Sequence, residues 1–434
     1  MVAIADDLTG AADCAASSAA RGASTVVLLH SPDPESEADW PDTDILSIDA
    51  NTRCLPAEQG SEIMARLLCL CDSQYGDNSG YVLFKKIDST LRGNVPAELS
   101  ALLQARRSRR PANARLSILL APALPTQGRT TVGGRILVYG VPLEKTDIWK
   151  AEVHTPQSDI RKLITDSGLS CGLIEIDIVR SSSTCLRRAI AQTAELTDVV
   201  VCDAETDEDL GAIASACAGQ PALTALAGSA GFAFQIAREI DAAAVAQVRP
   251  WCFAFGPTLF LVGTTASVSM QQARMLEEIP EVSTFHAGPG ALPASPGIFQ
   301  ADIVQSLRSG RDVLLFLNEG EHCRTDEWHF LPQALFDLFS ECQQFLGGLV
   351  ATGGETARAA LDALGIRRLR QLGEVEPGLP ISVADRWVRP LPVVTKAGAF
   401  GSTHALVHCR EFLRGRRRVR MSFEPESLFK DRES

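Results

Sequence analysis

Two acids, Asp6 and Asp7, end the apolar run Val2–Ala5, and Thr9 and Gly10 follow at once in a helix-like stretch. A strand that ends on adjacent carboxylates and turns directly into a helix delivers them to the carboxyl edge of a sheet, where open α/β folds bind ligands. Such a pair can bind substrate hydroxyls, take a proton or hold Mg2+. Capping the first helical turn needs only one of these residues, Asp7 or Thr9. The stretch 84–94 adds Lys85, Lys86, Asp88, Ser89, Thr90 and Arg92 just past another strand. A cluster of that kind suits a carboxylate-bearing substrate, since arginine grips a carboxylate through two parallel hydrogen bonds. An ordinary polar loop capped by Asp88 or Ser89 has the same composition. Residues 121–134 follow a further strand and combine prolines, hydroxyls, Gly128, Arg129, Gly133 and Gly134. Backbone amides in such a loop can approach a small ligand closely, and prolines can equally hold it as an irregular connection.

The second half of the chain offers a different chemistry. Residues 349–357 read as a strand, the pair Gly353-Gly354, and a helix start carrying Glu355 and Thr356. Glycines let backbone pass close to phosphate oxygens, and a helix N-terminus points free amides and partial positive charge at them. This is not a Walker A loop, because Gly354 and Glu355 stand where that motif requires Lys and Ser or Thr. Residues 260–269, with Gly263, Thr264 and Ser269, and residues 394–401, with Gly398 and Gly401, are also strand-to-small-residue loops. Three such loops in one domain suggest a nucleotide crevice. No G-x-G-x-x-G follows a strand, which argues against a nicotinamide-dependent oxidoreductase, and the His-Arg-Asp and Asp-Phe-Gly signatures of protein kinases are missing.

The elements that must position these residues read as α/β. Apolar strand-like runs at 2–5, 25–29, 45–48, 81–84, 116–121, 172–176 and 199–202 alternate with helical stretches, and a helix is expected at 231–240. A second series runs 260–262, 313–317, 348–351 and 392–395. We expect two α/β domains with largely parallel sheets, an N-terminal domain over 1–240, a linker at 241–257 and a C-terminal domain over 258–425. The acidic segment 31–44 reads as an exposed loop.

The chain has 434 residues, of which 45% are hydrophobic, enough for a sizeable core and more than one domain. No run approaches the roughly 18 apolar residues of a membrane span, and no charged signal preamble precedes the first strand. A cytoplasmic protein with no membrane partner is expected. The 12 cysteines are scattered and lack C-x-x-C spacing, and the pairs His322-Cys323 and His408-Cys409 lack zinc-site spacing. Reduced thiols and no metal-ligating residue set are expected. A net charge of −12 makes nucleic acid an unsuitable partner, and the basic runs at 106–110, 367–370 and 414–420 read as solvated faces or tails.

Taken in order, these blocks resemble the four-carbon acid sugar kinases, the family of D-threonate, D-erythronate and 3-oxo-tetronate kinases. The matching residues are 5–11, 86–94 and 128–134 in the first half, and 353–356, 374–378 and 395–398 in the second. The resemblance runs nearly end to end. It implies an N-terminal substrate domain, a C-terminal nucleotide domain, a catalytic cleft between them, and transfer from ATP with Mg2+ to the terminal hydroxyl of a four-carbon acid. By this resemblance Asp7 serves the chemical step, and Asp6, Arg53, Lys86, Asp88, Arg92 and Arg129 bind the acid. Thr264, Ser269, Gly353, Gly354, Glu355, Thr356, Gly398 and Gly401 hold ATP. A homo-oligomer is compatible with this reading.

Departures fall in the block Asp49-Ala50-Asn51-Thr52-Arg53, where the family commonly has Asp-Thr-Asp-Ser-Arg and an acid on the substrate side is lost, at Ala266, and at Ala399 in place of a glycine. They leave open a second reading, a non-catalytic sugar-acid and nucleotide-binding protein derived from the family.

Overall fold

The computed structural model describes residues 1–33, 40–76, 81–111, 113–146, 157–240, 256–287, 296–317, 331–384 and 389–415. Most of the expected linker, residues 34–39 of the acidic segment, His322-Cys323 and the end of the last basic run lie outside them. The chain divides into two compact units, one of Met1–Cys14 with His30–Ala244 and one of Ala15–Leu29 with Val245–Ser434.

In the first unit, strands β1 (Val2–Ala5), β3 (Ile45–Asp49), β4 (Leu83–Lys86), β5 (Ser117–Ala121), β9 (Cys171–Ile174), β10 (Val199–Cys202) and β11 (Leu223–Gly228) lie in the order β3-β1-β4-β11-β5-β10-β9, every pairing parallel. Parallel sheets are covered on both faces, so their strands read as continuous apolar runs, and every residue of β1 and β10 is buried. Phe84 and Phe232 meet in the core at a ring separation of 6.0 Å, among Leu119, Val200, Leu210 and Ile213. A small antiparallel sheet, β6 (Arg129–Val132), β7 (Arg135–Val138) and β8 (Val141–Pro142), rises out of the loop after β5.

In the second unit, β12 (Thr258–Val262), β13 (Val282–His286), β14 (Asp312–Phe316), β15 (Gly348–Thr352) and β18 (Leu391–Lys396) are parallel in the order β13-β14-β12-β15-β18. An antiparallel extension follows, β17 (Pro380–Ala384), β16 (Arg368–Glu374) and the N-terminal strand β2 (Thr25–Leu28). The pairing of β2 with β16 is what groups Ala15–Leu29 with the C-terminal half. Phe260, Leu314, Val350, Val394 and Leu406 form this unit's core.

Two expectations shift. The strand expected at 81–84 runs instead over Leu83–Lys86, while Tyr81 turns aside to donate its hydroxyl hydrogen bond to Asp72 Oδ1 at 2.7 Å. The basic run at 106–110 is not simply solvated. Arg106 is 2% exposed, ion-paired with Asp72 at 2.9 Å and set over the Tyr81 ring. A buried guanidinium needs such partners. The described cysteines carry free thiols, and burial pushes Cys14 up to about 12.

Candidate functional site

The carboxyl ends of β3, β1 and β4 lie side by side in the first unit, because Ala5 is in register with Asp49 on one side and Lys86 on the other. The chain leaves β1 into Asp6 and Asp7 and leaves β3 into a turn whose Asn51 has φ 50°. Amides of Thr52 and Arg53 donate to the Asp6 carbonyl, which fixes Arg53 beside the acid pair. Its guanidinium then spans both carboxylates. Nε donates to Asp6 Oδ2 at 2.8 Å and Nη1 to Asp7 Oδ2 at 2.7 Å, while Nη2 reaches Asp6 Oδ1 at 3.1 Å and Asp7 Oδ1 at 2.9 Å.

Asp7 also caps the helix Leu8–Ala19, its Oδ1 accepting from the Gly10 amide at 2.9 Å and its Oδ2 from the Thr9 hydroxyl. A carboxylate offers about four acceptor positions. On Asp7 these are taken by Arg53, Gly10 and Thr9; on Asp6, among the described residues, only Arg53 is engaged. Burial pushes the Asp6 carboxyl up, and Arg53 with Lys85 and Lys86 overrides it, holding the group below the ordinary carboxylate range. Burial likewise works against the Arg53 charge, and Asp6 and Asp7 carry it well above the ordinary arginine value.

The two lysines of β4 point to opposite faces, as successive strand residues must. Lys85 is fully buried and pairs with Glu98 at 2.9 Å, and Glu98 also accepts from the Thr52 hydroxyl. Lys86 is 6% exposed; its carbonyl accepts from Lys85 Nζ at 2.8 Å, while its ammonium, among the described residues, makes no hydrogen bond or ion pair. Its ammonium sits against Gly10, where a Cβ would come within 2.8 Å of Nζ and 2.7 Å of Asp7 Oδ1. Burial opposes its charge; Cys14, Asp7 and Asp6 outweigh that and raise its pKa.

Beyond β4, Asp88 accepts from Arg92 Nε at 2.8 Å and Nη2 at 3.1 Å, a bidentate pair helped by the Thr90 hydroxyl. Burial pushes Asp88 up, and Arg92, then Arg53, pull it well below the usual range. Burial lowers the pKa of Arg129, with Asp88 and Arg92 both close enough to act on it. All seven residues expected to handle the acid thus lie in one charged cluster. The glycine pair of the 121–134 loop is otherwise engaged, since Asp203 accepts from the amides of Gly133 and Gly134, both at 2.8 Å. A cavity of about 450 Å³ borders the cluster at Gly93 and Asn94 and extends over Ala57, Ser61, Pro96, Ala97 and Gln104, with no titratable side chain in its lining.

In the second unit β12, β15 and β18 are neighbours in parallel register, Val262 opposite Thr352 and Thr352 opposite Lys396. The three loops singled out from the sequence therefore leave one edge together. Gly263 donates its amide to the Thr352 carbonyl at 3.1 Å, and Gly353 donates to the Lys396 carbonyl at 2.8 Å. The helices that follow, Ser267–Glu277, Gly354–Ala363 and Ala405–Leu413, begin at Ala266, Gly353 and His404 with no side-chain cap. In the first two the first-turn amides remain directed at that edge, the arrangement that binds phosphate, whereas in the third the Ala405 amide donates to the Ser402 carbonyl at 3.0 Å. Close approach explains the glycines. A Cβ on Gly263 would lie 1.8 Å from Thr356 Oγ1, one on Gly398 would lie 2.6 Å from Thr264 Oγ1, and Gly353 has φ 99°.

The loop after β18 is bound from inside. Ser269 donates to the Gly398 carbonyl at 2.6 Å, Gln272 Nε2 donates to the carbonyls of Phe400 and Ser402, and Lys396 fills the centre. Lys396, 1% exposed, was not among the expected site residues, and neither were Glu98 and Asp203. The partners of Glu98 and Asp203 lie on other elements, and Lys396 sits inside its own loop, so only the run of matched residues around Lys396 could have flagged any of them. Of the departures, Ala399 keeps its amide, and Ala266 has its own amide held by Thr264 Oγ1 at 3.3 Å. Ala50 serves through its backbone, donating to the Ala5 carbonyl.

Comparison with known proteins fits this division. Residues 1–236 match the sugar-binding N-terminal domain model and residues 259–406 the nucleotide-binding C-terminal domain model of one family. The chain is 39% identical over 414 residues to a D-threonate kinase of Cupriavidus necator, covering 93% of this chain and 96% of that protein. It is 30% identical to a D-threonate kinase of Salmonella typhimurium, covering 94% and 96%. A crystal structure of a Salmonella typhimurium LT2 protein superposes with a TM-score of 0.78 at 20% identity, covering 95% of this chain and 98% of that one. A Haemophilus influenzae protein of the DUF1537 family superposes at 0.71, with 19% identity and coverage of 95% and 100%; both speak to fold alone. The chain belongs to the four-carbon acid sugar kinases, phosphotransferases with an alcohol group as acceptor. Among the described residues no helix is long and apolar enough to cross a membrane.

Proposed function

We propose that this protein transfers the γ-phosphoryl group of ATP to the terminal hydroxyl of a four-carbon sugar acid, with D-threonate the first candidate. The observation that carries the reading is the convergence of Asp6, Asp7, Arg53, Lys86, Asp88, Arg92 and Arg129 at the carboxyl edge of β3, β1 and β4. Fixed carboxylates and guanidinium groups suit a ligand bearing one carboxylate and several hydroxyls. Two relatives named D-threonate kinase, at 39% and 30% identity, supply the choice of threonate.

The first unit takes the acid. Lys86, a buried cation without a direct partner among the described residues, is the group left to meet a ligand oxygen. Asp7 orients Arg53 and, with Asp6, sets the negative potential in which the attacking hydroxyl is polarised. The spare acceptor positions of Asp6 can take a hydroxyl proton's hydrogen bond directly. The second unit takes the nucleotide through the amides of its three glycine-bearing loops. Among the described residues no group of three or more candidate ligands forms a metal cage. Mg2+ ordinarily rides on substrate phosphates with one or two carboxylates, so the donor set fits a metal delivered with ATP; bound, it would neutralise charge on the β- and γ-phosphates.

A non-catalytic binding role is the weaker reading, because the departures at Ala50, Ala266 and Ala399 each retain the backbone groups in use. An ATP-consumption assay across four-carbon acids of every stereochemistry, with their 2-oxo and 3-oxo relatives, tests the proposal. Turnover with D-threonate is expected. Turnover with an oxo acid alone would move the substrate, and binding of ATP and acid without turnover would favour the non-catalytic role.

A further inference from the structure

Lys396 ends β18 with its side chain turned inward and its ammonium inside the loop that follows. Nζ donates to Ser269 Oγ at 2.8 Å and to the carbonyls of Ala397, Gly398 and Phe400 at 3.0, 3.1 and 3.0 Å. Three carbonyls from four successive residues turned onto one buried cation is not a conformation that the loop's backbone would choose alone, since carbonyl dipoles aligned side by side repel. In a trans peptide the N–H points opposite to the C=O of the same plane, and the described residues contain no cis bond. The planes whose carbonyls face Lys396 carry the amides of Gly398, Ala399 and Gly401. Those amides therefore point away from the ammonium, out of the loop. Among the described residues none of the three donates to a protein acceptor.

We infer that Lys396 is a positioning residue for nucleotide binding: its ammonium gathers the loop's carbonyls so that the amides of Gly398, Ala399 and Gly401 form a preset cradle for a phosphate of the nucleotide. Successive outward amides of this kind make an anion-binding concavity. The same residue braces the neighbouring loop as well, because its carbonyl accepts from the Gly353 amide at 2.8 Å. Ser269 completes the device from the helix Ser267–Glu277, accepting from Lys396 while donating to the Gly398 carbonyl. Ala399 in place of a glycine costs the cradle nothing, since only its backbone N–H is used and its φ is not positive.

The inference rests on the reading of the second unit as the nucleotide domain, so the test starts with the parent protein. Titration of the full chain with a non-hydrolysable ATP analogue in Mg2+ should show saturable binding; none at all would remove the nucleotide reading itself, and this inference with it. Given parental binding, Lys396→Met should weaken it by roughly ten- to a hundredfold, the scale of one or two hydrogen-bonded groups lost. The affinity for D-threonate, titrated in parallel, should stay within about twofold of the parent, well inside one hydrogen bond's worth. A purely structural lysine would lower both or neither. Ser269→Ala keeps the ammonium and removes one of its acceptors, and should weaken the analogue alone, by roughly threefold to tenfold. Lys396→Met that melts like the parent and binds the analogue equally well overturns the inference. Should Lys396→Met not fold, Ser269→Ala decides, and parental affinity in that variant overturns it too.

Discussion

On the function proposed above, the two units bind their ligands with opposite materials. In the first, the carboxyl edge of the sheet is crowded with side-chain charge, most of it paired: Arg53 across Asp6 and Asp7, Arg92 on Asp88, Lys85 on Glu98, with the Lys86 ammonium left beside Asp7. In the second, among the described residues, the loops at the corresponding edge are built mainly from backbone groups, and the buried cation Lys396 faces carbonyls rather than carboxylates. Side chains specify which ligand enters, because each has its own charge and reach. Backbone amides specify only that the ligand is anionic and close. The difference suits an enzyme that must discriminate among small acids of one composition while accepting a nucleotide whose triphosphate is the same in every cell.

The largest expected effect lies in the charged edge. Asp7→Asn keeps the cap, since Asn caps a helix about as well as Asp, but weakens the grip on Arg53 and removes a charge next to the hydroxyl. ATP binding should be near normal and kcat should fall by roughly 10²-fold or more, with the melting temperature lowered by the weakened buried pair with Arg53. Normal turnover in that variant, with a loss in Asp6→Asn, would transfer the chemical role to Asp6, whose acceptor positions are less filled.

A crossed pair then tests the division of labour. Arg92→Ala should raise KM for the acid by roughly ten- to a hundredfold and leave KM for ATP alone. Gly263→Ala, whose Cβ would collide with Thr356, should do the reverse, by roughly tenfold. If either variant moved the other constant instead, the assignment of ligands to units would be reversed.

What could be read in the sequence follows the same contrast. Gly263, Gly353 and Gly398 were legible one by one, because close approach and positive φ leave glycine as the natural choice, and parallel strand order then brought their loops to one edge. The acid-handling residues were legible as a composition and through the family resemblance, but their pairing was not. Nothing in 49–53 announces that Arg53 is consumed by Asp6 and Asp7, since that contact depends on β1 and β3 being neighbours. Glu98, one helix away from Lys85, and Asp203, seventy residues from Gly133, were invisible for the same reason. Strand β2 is a similar case, its partner β16 lying in the other half of the chain.

A smaller effect, in pH, should appear in the second unit only. Burial pulls Lys396 down to about 8 from an ordinary 10.5, with the Cys409 thiol of the helix Ala405–Leu413 as the ionisable neighbour working the other way. Above that pH a neutral amine has two donors for four acceptors, so affinity for the ATP analogue should decline by a fewfold as pH rises through about 8. Loss of fold is not the cause. The folded pKa is depressed, so between about 8 and 10.5 the unfolded chain holds a proton that the folded chain has released, and this group's contribution to stability rises with pH across that window. A flat pH profile for the analogue, measured where the melting temperature is steady, would remove the lysine from the cradle.

Strain is also divided unevenly. Among the described residues, positive φ outside glycine occurs at Asn51, Leu91 and Tyr139, at 50°, 61° and 49°, all in the first unit. Each neighbours a site arginine: Asn51 precedes Arg53 by two positions, Leu91 precedes Arg92, and Tyr139 follows Val138, the cross-strand partner of Arg129. Tyr139 is the least expected of them, 79% exposed, with its ring so close over Gly128 that a Cβ there would lie 2.3 Å from it. Tyr139 and Gly140, at φ 49° and 78°, are the two central residues of the tight hairpin joining β7 to β8, a turn that requires positive φ at both, and an exposed tyrosine is an uncommon choice for that place. Tyr139→Gly relieves backbone strain of about 1–2 kcal/mol while adding unfolded-state entropy of about 0.5–1 kcal/mol, so thermal stability should stay level or rise slightly. If the ring steadies the loop that presents Arg129, KM for the acid should nonetheless rise by a fewfold, with KM for ATP unchanged. Stability and acid affinity moving in opposite directions would place this strain in the service of the charged edge. A variant as stable as the parent and kinetically identical to it would show that Tyr139 holds its conformation for local packing against Gly128 alone.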